Sequence, residues 1–184
     1  AGRRGIWVIE DAAQALLSQY RDQCVGVHGQ MICLSFHETK NIISGEGGAL
    51  LINDPEVIER AEIIREKGTN RSQYFRGQVD KYTWVDVGSS YLPSDILAAF
   101  LYAQMENAEQ IIAKRNLIFD QYMEGLRPLA DTGRIRLPLV IEDSRCNGHL
   151  FYIVTQSLKE RTELISFLAQ RGIYAVFHYV PLHT

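Results

Sequence analysis

The sequence predicts an α/β protein: a mainly parallel sheet in a large domain over residues 1–125, and the start of a smaller α+β domain over 126–184. Three observations carry that expectation. Continuous apolar runs occur at residues 6–9, 31–34 and 48–52, the pattern of strands covered on both faces rather than one. Helical patterns alternate with such runs in the first half, as in a layered α/β sheet. After Gly125-Leu126-Arg127-Pro128 the pattern changes to short strand candidates around one amphipathic helix.

Taken in order, Ile6-Trp7-Val8-Ile9 reads as a buried strand running into Glu10-Asp11-Ala12-Ala13-Gln14, with Asp11 suited to cap a helix starting near Ala12. Met31-Ile32-Cys33-Leu34 is a second strand and Gly48-Ala49-Leu50-Leu51-Ile52-Asn53 a third. Asn53-Asp54-Pro55 starts a helix, with proline at its first position and Gly68 closing it. Residues 69–92 are polar, aromatic and aperiodic, and so long a loop in a compact domain usually lines a site or a subunit contact. A single long helix is expected from Pro93 to Leu126, then strands at 134–137 and 150–155, a helix from Lys159 to Gln170 and a strand from Ile173 to Phe177.

The composition narrows function by exclusion. The 184 residues are 46% hydrophobic and 22% charged with a formal net charge of −3, so neither a nucleic-acid footprint nor a membrane-binding face is expected. No apolar stretch approaches the roughly 20 residues that span a bilayer. Cys24, Cys33 and Cys146 form no Cys-x-x-Cys pair and read as free thiols in a reducing cytosol.

Lys40 is the centre of the chemical reading. It follows a buried strand within Ser35-Phe36-His37-Glu38-Thr39-Lys40-Asn41 and precedes the turn Gly45-Glu46-Gly47-Gly48. Asp11, at the end of the first strand, supplies an acid where ligands meet α/β sheets. An amine for a Schiff base and a carboxylate that keeps a pyridine nitrogen protonated are what pyridoxal 5'-phosphate (PLP) needs. Each residue also has a plainer reading: Lys40 as a solvated charge, Asp11 as a helix cap, Ser35 as a turn hydroxyl. His37-Glu38-Thr39-Lys40 lacks the second histidine of a zinc motif, and no metal is expected. The Gly45–Gly48 turn lacks dinucleotide-binding spacing; its glycines permit positive φ and close backbone approach.

Asp11-Ala12-Ala13-Gln14, Ser35-Phe36-His37 with Lys40-Asn41, and Gly45-Glu46-Gly47-Gly48-Ala49 together resemble the DegT/DnrJ/EryC1/StrS sugar aminotransferases. The resemblance implies PLP-dependent fold type I (aspartate aminotransferase-like) and a cytoplasmic homodimer with shared sites. It implies Lys40 as the catalytic Schiff-base lysine and Asp11 on the pyridinium nitrogen. Gln14 falls near the ring, Ser35 on the cofactor phosphate, and Ser90 where many relatives place an asparagine that reaches the partner's cofactor. His178 and His183 fall near the substrate side. Some relatives are dehydratases with histidine where this chain has Lys40, which favours transamination; a non-catalytic scaffold or regulator of the same fold is the reading from another class.

Residues 61–72 and 75–84 resemble the branch that aminates C4 of dTDP-linked 4-keto-6-deoxyhexoses for enterobacterial common antigen-type polysaccharide, with glutamate as the expected donor. Enzymes of this family are about twice as long, so the chain reads as an internal fragment. Expressed alone it is expected to aggregate and be inactive, with an incomplete sheet and unpaired edges.

Overall fold

A computed structural model describes residues 1–177 and 179–183. In chain order the elements are β1 (Ile9–Asp11), β2 (Gln19–Tyr20), β3 (Gln23–Cys24), β4 (Met31–Ser35) and β5 (Gly48–Ile52), then α1 (Ile58–Arg65), α2 (Arg71–Phe75), α3 (Asp95–Glu106) and α4 (Ala108–Asp131). They are followed by β6 (Ile135–Arg136), β7 (Ser144–Arg145), β8 (Val154–Thr155) and α5 (Leu158–Ala169). The chain packs as two units, Ala1–Asn116 with Ile141–His149, and Leu117–Val140 with Leu150–Thr184.

The first unit is built on a three-stranded sheet of order β1-β4-β5. β1 runs parallel to β4, with Asp11 opposite Cys33, and β4 runs antiparallel to β5, with Ser35 opposite Gly48. The direct return through residues 36–47 forces the second pairing to be antiparallel, because a parallel one needs a crossover. Ile32 in the central strand is fully buried. Phe36, Ile42 and Ala108 form the adjoining core, packed by Leu16, Leu34, Ala49, Leu101 and Ile111.

The first strand departs from expectation. Pairing begins at Ile9, and Ile6, Trp7 and Ile9 are 55%, 49% and 60% exposed. Among the described residues β1 pairs only with β4 and β5 only with β4, so both outer edges of this sheet lack strand partners. No helix follows Asp11; residues 12–18 are successive turns. A second sheet of order β3-β2-β7 pairs Gln19 with Arg145 and Tyr20 with Ser144, which brings residues 144–149 back beside the turns after Asp11.

Glu10 fixes the connection before β4. Its carboxylate accepts the backbone N–H groups of Gly26, His28 and Gly29 at 3.0, 2.9 and 2.5 Å. Chiefly the Gly29 N–H, and then those of His28 and Gly26, holds the carboxyl below the ordinary carboxylate range against a smaller opposing effect of burial. A lowered folded-state pKa stabilises the fold above the unfolded value and ceases to do so as pH falls through the folded one. Glu10→Gln is therefore expected to lower stability at neutral pH and to flatten the acid limb of a pH–stability curve below the ordinary carboxylate range, where the two proteins converge. An unchanged acid limb in urea titrations of the full-length protein would contradict this role.

α1 follows a short 3-10 turn at Pro55–Val57, capped by the Asp54 side chain accepting the Glu56 N–H at 3.0 Å. Gly68 lies past the cap, at φ +73°, where the chain is crossed by residues 86–88. A Cβ at Gly68 would overlap the Asp86 carbonyl oxygen, and one at Gly88 would overlap the Gly68 backbone nitrogen. Gly88→Ala should thus lower the stability of the full-length protein by at least about 2 kcal/mol, the scale of overpacking a close-packed site. Thermal unfolding measures it, and an unchanged Tm would rule the crossing out as tight. The 69–92 loop is not structureless. It contains α2, held to α1 by the paired hydrogen bonds of Arg76 to Glu62 (3.0 and 2.5 Å), and Thr69 bridges Trp84.

The expected single helix from Pro93 to Leu126 is two. Ser94 caps α3 by accepting the Leu97 N–H at 3.3 Å. At Asn107 the side chain takes the Ala103 carbonyl at 2.9 Å, and α4 starts afresh at Ala108. α4 then runs through Pro128, whose missing N–H costs one bond, and stops before Gly133 at φ +73°.

In the second unit β6 pairs antiparallel with β8. Phe151 packs edge-on against Phe119 at 5.3 Å and stacks on Tyr122 at 5.0 Å between ring centroids. Ser157 caps α5 by accepting the Glu160 N–H at 3.2 Å. The strands expected at 134–137 and 150–155 shrink to two residues each, and residues 173–177 form none, having no pairing partner among the described residues. Among the described residues no helix is long and apolar enough to cross a membrane.

Candidate active site

The loop between β4 and β5 is built to present a side chain. Phe36 and Ile42, 6% and 1% exposed, anchor it in the core. The Phe36 N–H donates to the Gly47 carbonyl (2.8 Å), the Glu38 N–H to Gly45 (2.8 Å) and the Ser44 N–H to Phe36 (2.7 Å). Gly45 and Gly47 have φ of +88° and +145°, which L side chains rarely adopt. At the tip, Ser35 Oγ accepts the His37 N–H at 3.4 Å, His37 Nδ1 accepts the Thr39 N–H at 3.2 Å, and the Lys40 N–H donates to the His37 carbonyl at 2.9 Å.

These bonds turn Lys40 toward a shallow recess lined also by Ala13, Gln14, Leu16, Ser35, Asn41, Ile42, Asn147 and His149. Lys40 and Ser35, from one loop, therefore meet Gln14, from the turn after β1, in one place. Asp11 ends β1 two positions before the recess-lining Ala13, and its Oδ1 accepts the Ala13 N–H at 3.1 Å. That bond makes a local turn rather than a helix cap, and it leaves the second carboxylate oxygen uncommitted among the described residues.

Ser90 is not in the recess. It is exposed and forms an antiparallel bridge with Glu66. His183 is exposed in the second unit, and His178 lies outside the described residues. Asn147 and His149 line the recess although nothing in the sequence reading marked them. The Asn147-Gly148 dipeptide announces a turn, but no local signal says which loops the turn touches.

The residues present suit PLP. Lys40 is half-buried and has no ion pair among the described residues. The Ser35 hydroxyl has its oxygen engaged by His37 and, among the described residues, donates its own proton to no protein group, as a phosphate ligand requires. An acid and an amide, Asp11 and Gln14, stand at the adjoining turn.

The chain resembles known enzymes over its full length. It is 32% identical over 185 residues, 100% of this chain and 45% of the relative, to dTDP-3-amino-3,4,6-trideoxy-alpha-D-glucose transaminase of Streptomyces venezuelae. GDP-perosamine synthase of Escherichia coli O157:H7 is 31% identical over 191 residues, 100% of this chain and 47% of that protein. The solved structure of S. venezuelae DesV in complex with a ketimine intermediate superposes with a TM-score of 0.83 at 32% identity, over 100% of this chain and 46% of that one. The chain spans about half the length of the curated relatives it matches. The model of the DegT/DnrJ/EryC1/StrS aminotransferase family matches residues 1–184, and to that family this chain belongs.

Proposed function

We propose that the full-length protein is a PLP-dependent aminotransferase that moves an amino group from glutamate to the C4 keto group of a dTDP-linked 4-keto-6-deoxyhexose, for cell-surface polysaccharide of the enterobacterial common antigen type. The observation that carries it is the recess in which a lysine amine with no ion pair among the described residues meets Ser35 and Gln14, beside the acid-bearing end of β1. The cofactor supplies an electron-withdrawing ring that stabilises negative charge on the substrate carbon. Lys40 would anchor it through its amine and, when that amine is free, would move a proton at its Nζ. The Asp11 carboxylate would accept the ring N–H, Ser35 would donate to the phosphate, and Gln14 would serve near the ring.

In this reading the protein is a cytoplasmic homodimer. Ser90 serves the partner's phosphate, consistent with its place outside this chain's own recess, and His178 and His183 face substrate. Residues 1–125 belong to the large, mainly parallel fold type I domain and 126–184 open the small one. Mass analysis of products from full-length protein, glutamate and a panel of nucleotide-linked keto sugars tests it. An amino sugar gained from a dTDP-4-keto-6-deoxyhexose is expected. A dehydrated sugar would make it a dehydratase, and no turnover without a visible cofactor band would make it a scaffold.

A further inference from the structure

The loop that carries Lys40 is held from outside as well as by its own turns. Asn41, next to the lysine, is 7% exposed and uses both ends of its amide. Its Nδ2 donates to the Asn147 carbonyl at 2.8 Å, and its Oδ1 lies 2.9 Å from His149 Nδ1. A backbone carbonyl can only accept, so this contact fixes which end of the Asn41 amide is nitrogen. The other end is then an acceptor, and His149 Nδ1 must carry the proton. That N–H is present on the neutral and the charged ring alike, so the contact survives protonation of the histidine.

Asn147, 4% exposed, extends the same frame. Its Nδ2 donates to the carbonyls of Gln14 and Leu16, each at 2.9 Å, and its Oδ1 accepts the His149 N–H at 3.2 Å. Gly148 between them has φ +59°, and a Cβ there would lie 2.8 Å from the Arg115 carbonyl carbon and 2.9 Å from its oxygen. The segment is thus pressed against the chain at 115 and has little freedom to shift. Residues 147–149 tie the turn after Asp11 to the lysine loop, across separations of 106 to 133 positions. Deleting one partner from so buried a set strands the others.

We propose that Asn147 and His149 are positioning residues for Lys40: through Asn41 they set the direction from which the lysine amine meets a carbonyl carbon in the recess, and through the Gln14 and Leu16 carbonyls they hold the opposing turn in register. This rests on the reading of Lys40 as the covalent anchor. It predicts that the N–H at the Nδ1 place is what His149 contributes to holding Lys40.

The test uses the full-length protein as wild type, His149→Asn, His149→Gln and His149→Leu. Asparagine returns an N–H near the place of Nδ1, glutamine near that of Nε2, and leucine neither. Three quantities are read: hydrogen exchange of backbone amides 38–45 in the cofactor-free protein, the rate at which added pyridoxal phosphate becomes borohydride-fixed on Lys40, and kcat against KM for the keto sugar. The leucine and glutamine variants are expected to exchange faster, and to link and turn over roughly tenfold or more slowly with KM within about threefold, the cost of a small misplacement of a reacting group. His149→Asn should recover most of the loss. Should the leucine variant fail to fold, the asparagine–glutamine contrast makes the same distinction. Equal rates in all variants, or losses that track Tm regardless of where the N–H is restored, overturn the proposal. Wild-type protein that fixes the cofactor on another lysine overturns the Lys40 reading and this proposal with it.

Discussion

Lys40→Ala in the full-length protein abolishes turnover and the borohydride-fixed link to pyridoxal phosphate, while the protein stays folded. The expectation of survival is structural. The loop at 36–47 is held by backbone bonds and by Phe36 and Ile42, whereas the Lys40 side chain is partly exposed and contributes no ion pair among the described residues. Removing it deletes the nucleophile without opening a core cavity. Added amine should not restore the native rate, because a free amine lacks the orientation the loop supplies. The measurement is peptide mapping after reduction, with circular dichroism as the folding control. A reduced pyridoxyl adduct on a different lysine, or native turnover, would refute the assignment.

Asp11→Asn is expected to cut the chemical step by roughly 10²-fold or more, on the scale of losing one preorganised electrostatic contact. Size and the local turn are preserved, since an asparagine Oδ1 can still accept the Ala13 N–H now bonded to Asp11 at 3.1 Å. What disappears is the negative charge, and with it the means of keeping a ring nitrogen protonated. Cofactor should still bind, because Ser35 and Lys40 are untouched. Single-turnover kinetics isolate the step, and a variant with near wild-type turnover would reduce Asp11 to a turn former.

The parts of this arrangement that could be read from the chain are those fixed by neighbours in sequence. The apolar runs at Met31–Leu34 and Gly48–Ile52 became β4 and β5 because the loop between them closes locally through Phe36, Ser44, Gly45 and Gly47. The meeting of Ser35 with Lys40 was legible for the same reason. Where expectation failed, long-range packing decides. Ile6-Trp7-Val8-Ile9 is apolar enough for a buried strand, yet burial needs something to lie against it, and Ile9 is 60% exposed. Residues 173–177 are rich in β-formers, but a strand exists only with a partner. The break at Asn107 turns on one side chain taking the Ala103 carbonyl, a competition that hydrophobic periodicity does not register. Asn147 and His149 reach the recess through the pairing of β7 with β2, which no motif announces.

The crossing of Gly68 by residues 86–88 gives the segment between them an independent character. Its two ends meet backbone to backbone, and the Lys67 N–H donates to the Ser89 carbonyl at 3.0 Å while the Ser89 N–H donates to Ile64 at 3.0 Å. A loop whose mouth is sewn shut in this way transmits little of what happens at its tip. Lengthening it around Gly77, which has open space on its Cβ side, adds chiefly the entropy of closing a longer ring, about 0.6 kcal/mol for each doubling. Beyond the Arg76–Glu62 contact the tip is therefore free to diverge like an exchangeable insert, while Ser89 and Ser90, stitched down just beyond the mouth, stay where the α1 end puts them.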